Sequence, residues 1–248
     1  MIDVKYCYMK DVYEKEISNI KEAKFTNDID FHKRKVNDLE YRDPDSCSKK
    51  LVSDIIELYF PNEILKRNNE IIYLKNKLAL STDYLGPSAT TAKRVGITDD
   101  FVWNAILECR TIGGHIVWPR MNDGINPNKA KSGFKGNGIS DRADIAFYEI
   151  KNYLENNLDK KTYNIDLKKC LNNEENKKFF AMFNKSFKDF CDYFDLVDSF
   201  VDKNYDIIWF ADPELKTLTK NEVINYFNNN INAIKKRNEK IKQKLMED

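Results

Sequence analysis

The sequence predicts an α+β fold: a predominantly helical single domain, residues 1–248, with a small β-sheet. Three observations carry that expectation. Apolar residues recur at three- and four-residue spacing over much of the chain, the period of a helix with one buried face. Short apolar runs within 71–81, 115–119 and 206–211 break that period and read as strands. All eight glycines lie between Gly86 and Gly138. Glycine serves where backbone takes positive φ or passes close to a neighbour, so the flanks read as regular elements and the middle as loop-rich.

Residues 1–45 are charged and weakly periodic, and read as a weakly structured N-terminal segment. DPDS at 43–46 signals a helix start, with Ser46 or Ser48 as the cap. Leu51, Val52, Ile55, Ile56 and Tyr59 then repeat at helical spacing until Pro61. IIYL (71–74) and LALS (78–81), joined by KNK, form a hairpin pattern. A helix over 98–112 starts at Thr98, with Asp99 and Asp100 favouring its positive end, and stops at Gly113-Gly114. HIVW (115–118) reads as a buried strand closed by Pro119. Residues 121–139 form a long glycine-rich loop, and loops of that length in compact domains are usually functional or mobile. Ser140 caps a helix over 140–156. Residues 174–200 carry a phenylalanine stripe and read as a core helix broken near Cys191. DIIWFA (206–211) reads as a buried strand. TKNE (219–222) is a capping box opening a last helix to 246, whose basic end, KKRNEKIKQK, reads as a solvated face.

Composition narrows the function classes. A formal net charge of +1 gives no global signal for nucleic acid or membrane, so any basic patch must be local. The five cysteines are odd in number, widely spaced and without a CxxC, which argues against a disulfide framework and a zinc site. No run approaches the roughly 18 apolar residues of a membrane helix, and the N-terminus lacks a signal-peptide pattern. The expectation is a cytoplasmic protein with no membrane partner.

Several segments occur in a recognisable order: RDPDSCSKKL (42–51), LALSTDYLGPS (78–88), RTIGGHIVWPR (110–120), ISDRADIAFYEIKNYL (139–154) and FFAMFNKSFKDFCDYFDLVD (179–198). Together they resemble a family of uncharacterised bacterial and phage proteins of unknown function, over roughly residues 40–240. The resemblance implies a bacterial or phage setting and lends no activity.

Three constellations could carry chemistry. Arg110 with His115, in RTIGGH, resembles the RxxxxH pattern of helical ribonucleases in toxin and phage-defence systems. A histidine can move the 2′-OH proton and an arginine can stabilise the phosphorane. The bland alternative is an arginine on helix-end carbonyls and a satisfied core histidine. Asp141 and Asp144, one helical turn apart, could join Asp83 around a divalent cation, or simply pair with Arg142. The loop brings Arg120, Lys129, Lys131 and Lys135 together with Asn126 and several glycines, a composition suited to phosphate; Arg142 completes the ligand-binding set. The expected function is a phage-defence protein, abortive-infection or toxin-like, acting on RNA as a metal-independent ribonuclease without a cofactor. The alternative is a non-catalytic module that recognises a nucleotide, nucleic acid or phage protein through the central glycine-rich region. RNA, a nucleotide, a protein partner or a second copy of the chain are the expected partners.

Overall fold

The computed structural model describes residues 2–11, 48–61, 64–68, 71–119, 138–139, 141–157, 159–215 and 218–247. The first helix, α1 (Lys49–Tyr59), starts where Ser48 accepts the Leu51 N–H. Ser48 is therefore the cap, and Ser46 lies outside the described residues. Leu51, Ile55, Ile56 and Tyr59 bury the face that the spacing predicted.

Four strands follow as an antiparallel meander: β1 (Ile64–Asn68), β2 (Ile71–Leu74), β3 (Ala79–Tyr84) and β4 (His115–Pro119), in the order β1-β2-β3-β4. β3 and β4 pair from Leu80↔Pro119 to Tyr84↔His115. Two short helices sit between them in sequence, α2 (Ala89–Arg94) and α3 (Asp99–Cys109), then a 3₁₀ turn at Ile112–Gly114. Every β4 residue is buried, as a short uninterrupted apolar run requires.

The second half is helical: α4 (Ala143–Leu154), α5 (Ile165–Leu171), α6 (Glu174–Ala181), α7 (Phe187–Tyr193) and α8 (Lys220–Glu247). α8 packs on the 3₁₀ turn, α3 and α2, while α1 covers β3 and β4. The phenylalanine stripe is core, as expected: Phe179, Phe190 and Phe194 are fully buried, and their rings contact one another within 5.2–6.4 Å. A mostly helical α+β architecture is thus present, with the apolar residues of both halves in one contiguous core.

Four expectations need correction. Residues 206–211 are no strand of the sheet; Ile207 makes only an isolated bridge to Val201, and the segment otherwise runs irregularly. The stretch 174–200 is two helices, because Asn184 and Lys185 both adopt left-handed backbone (φ 54° and 55°) before Ser186 caps α7. Helix α4 starts at Ala143 after Arg142, not at Ser140, which lies outside the described residues. The N-terminal segment is ordered at its start: Tyr8 is fully buried, its N–H donates to the Arg110 carbonyl and its hydroxyl to Asp54. Among the described residues, no helix is long and apolar enough to cross a membrane.

Candidate functional site

The RTIGGH segment forms the C-terminal end of α3, the 3₁₀ turn and the first residue of β4. Arg110 caps α3 through its own N–H, given to the Ile106 carbonyl. The glycines do not end the helix by taking positive φ. They allow close approach instead: a Cβ on Gly113 would stand 2.9 Å from the Asn238 backbone nitrogen, and one on Gly114 would collide with the Cys109 carbonyl. Asn238 of α8 accepts the Gly113 N–H at 2.8 Å. One α8 turn therefore seats directly on this turn.

Arg110 and His115 both point into the protein, 4% and 0% exposed. The Arg110 guanidinium stacks on the Tyr84 ring, 3.3 Å from its centroid. The His115 ring lies 5.5 Å from the same tyrosine and edge-on to Tyr8 at 5.9 Å. Its Nδ1 stands 2.8 Å from the Thr111 carbonyl, which can only accept, so Nδ1 carries hydrogen. Cys109 is buried alongside, and burial pushes its thiol up to about 12 despite a Tyr84 hydrogen bond and the Arg110 charge that favour the thiolate.

The Asp141–Asp144 segment is also interior. Arg142 donates Nε and Nη2 to the two Asp144 carboxylate oxygens at 2.9 and 2.6 Å, with both side chains buried. The remaining bonds reach another segment: Arg142 donates to the carbonyls of Ala211 and Asp212, and Asp144 accepts the Phe210 N–H. Burial alone would lower the Arg142 pKa; the Asp144 carboxylate outweighs it and holds the guanidinium charged. Asp83 is buried and accepts the Tyr84 N–H, while the Asp141 carbonyl faces the Tyr226 hydroxyl at 3.3 Å. Among the described residues, no group of three or more His, Cys, Asp or Glu side chains could hold a metal ion. Arg120, Asn126 and Lys131 lie outside the described residues.

Two features escaped the sequence reading. Arg237, in the basic run near the end of α8, is fully buried. It donates to the carbonyls of Phe194, Gly113 and His115 and to the Tyr59 hydroxyl, which in turn reaches Asp195. Its place on the α8 face shared with Ile234 and Ile241 was the only available signal. The second feature is on the surface. Trp209, in the run expected as a buried strand, is 37% exposed and meets the partly exposed rings of Tyr148 and Tyr163.

No curated protein and no solved structure matches the chain. One family model does, over residues 22–241, which is most of the sequence. The chain belongs to that family, DUF6994, a family of unknown function.

Proposed function

We propose that the protein is a non-catalytic module that binds single-stranded RNA or a nucleotide. One observation carries the choice over a ribonuclease: Arg110 and His115 are enclosed in the core, one stacked on Tyr84 and the other bonded to a backbone carbonyl. A general acid–base must come within about 3 Å of the proton it transfers, directly or through a water. A histidine with no exposed surface meets that demand only after the core opens. The nucleic-acid part of the reading is supported by the lysine- and amide-rich sequence between Arg120 and Gly138. The phage-defence setting is supported by the bacterial and phage resemblance alone.

Purified protein titrated into a short fluorescein-labelled RNA tests this. The expected outcome is saturable binding that weakens with salt and leaves the RNA intact. Metal-independent cleavage that His115→Ala abolishes in a still-folded protein would overturn the reading and restore the ribonuclease. Plaque counts on a bacterial host expressing the protein test the defence role; unchanged plating with and without expression counts against it.

A further inference from the structure

Trp209 is held at the surface by an arrangement more rigid than its irregular backbone suggests. The Ile208 N–H bonds to the Phe200 carbonyl and the Phe210 N–H to Asp144. The Phe210 carbonyl accepts from Asn229, and the Ala211 and Asp212 carbonyls accept from Arg142. The buried Arg142–Asp144 pair thus fixes the residues on the C-terminal side of Trp209, and α8 adds another tie. Tyr148 on α4 and Tyr163 ahead of α5 complete the cluster. Ring centroids lie 5.2–5.9 Å apart across the three pairs. The Tyr148 hydroxyl donates to the Lys161 carbonyl, which ties α4 to the loop bearing Tyr163.

Charged side chains of both signs border this cluster, Glu214 and Asp212 among them. Lys161 stands 5.3 Å from the Tyr163 ring and pairs with Glu214 at 2.6 Å. Lys160 and Lys168 line an adjoining recess with Glu149, Asn152 and Asn157. Glu149 binds the two to each other, accepting the N–H groups of Tyr163 and Asn164. The recess holds about 30 Å³, room for a water and not for a base. A planar ligand must therefore lie outside it, on the aromatic faces, with its charged part over the lysines.

We infer that Trp209, buttressed by the tilted rings of Tyr148 and Tyr163, offers a stacking face for an unpaired base of single-stranded RNA, with Lys160, and Lys161 on exchanging Glu214, meeting the adjoining phosphates. This rests on the binding reading above and gives it a location. Exposed aromatics beside basic side chains are the two parts that sequence-tolerant single-strand binding combines, since every base has a π-face and every nucleotide a charge. Preorganisation by the buried ion pair adds to affinity, because the platform loses little freedom on binding.

Intrinsic fluorescence tests the inference in the unmodified protein. Trp103 and Trp118 are 2% and 6% exposed, so only Trp209 among the tryptophans offers a base an accessible face. Saturating oligoadenylate should quench the exposed component of the emission and shield it from acrylamide. Trp209→Ala should weaken anisotropy-measured binding of labelled oligoadenylate roughly tenfold, and Trp209→Phe should retain most of it. Unchanged emission at saturating RNA overturns the platform even if Trp209→Ala fails to fold. Wild-type affinity in a folded Trp209→Ala protein also overturns it, while leaving the binding reading intact with its site elsewhere. Absence of any RNA binding by the wild type removes both. Quenching by a soluble polysaccharide and not by RNA overturns the inference in favour of a sugar-binding face.

Discussion

Asp144 has no exposed surface, and its neighbours account for its burial. Its two oxygens receive Arg142 and the N–H groups of Ile145 and Phe210. Removing one member of a buried pair strands the other, at a cost of about 3–5 kcal/mol. Asp144→Ala should therefore lower the melting temperature by roughly 10 °C, at about 2–4 °C per kcal/mol for a chain of this size. The Arg142→Met, Asp144→Leu double variant should recover part of that loss, giving a large coupling in a double-mutant cycle. Glu149 poses the opposite case: burial raises its pKa, and the Tyr163 and Asn164 N–H groups only partly offset this. A raised carboxyl pKa means the folded state holds a proton that the unfolded state releases. Its contribution to stability is present below the unfolded pKa and is lost as pH rises through the folded one. Glu149→Gln should consequently gain on the wild type as pH rises from 4 to 7 in urea melts; a pH-independent difference would contradict the shift. At Cys109, a thiol held near 12 and buried predicts no alkylation in the native protein near neutral pH, with labelling only after denaturation.

At the scale of elements, the break between α6 and α7 is the informative one. Phe179, Phe183, Phe187, Phe190 and Phe194 keep a three- and four-residue rhythm, so periodicity alone runs through it. The chain turns at Asn184-Lys185 because left-handed backbone there lets the second aromatic row fold back on the first. Rings of α6 and α7 then meet face to edge, as in Phe180–Phe190 at 5.7 Å. A left-handed non-glycine residue costs about 1–2 kcal/mol, and glycine relieves most of it while adding unfolded-state entropy. Lys185→Gly should thus be neutral or stabilising by up to about 1 kcal/mol in chemical denaturation. A continuous helix through 184–185 would instead make the same glycine destabilising.

Across the whole molecule, the two chain ends hold the centre. Tyr8 from the first residues and Arg237 from the last helix both reach the backbone around the 3₁₀ turn, at Arg110, Gly113 and His115. The C-terminal helix thereby supplies donors to buried carbonyls. Tyr8→Ala should cost about 3–5 kcal/mol, the range for a large buried aromatic, and deletion of residues 1–11 at least as much, read by urea denaturation. A dispensable N-terminus would show no change in midpoint.

Much of this was legible one residue at a time. Helix α1, the α8 start, the buried β4 and the aromatic core follow from local rules of spacing, capping and apolar runs, which need only near neighbours in sequence. The glycines concentrated in residues 86–138 point to special backbone, and at Gly113-Gly114 the tertiary structure gives the reason: an α8 turn and the Cys109 carbonyl leave no room for a side chain. Burial of charge was decided elsewhere. Arg142, Asp144 and Arg237 look like solvated or ligand-binding residues in sequence, because backbone groups 43–124 residues away complete their hydrogen bonding. Trp209 reverses the case: its apolar run predicts a core strand, and only the path imposed on residues 208–212 by Arg142, Asp144 and Asn229 brings the ring to the surface. Sequence alone determined most of the regular segments and where the apolar residues lie; contacts between distant segments decided where 206–211 runs irregularly, which charges are interior and which aromatic is left facing water.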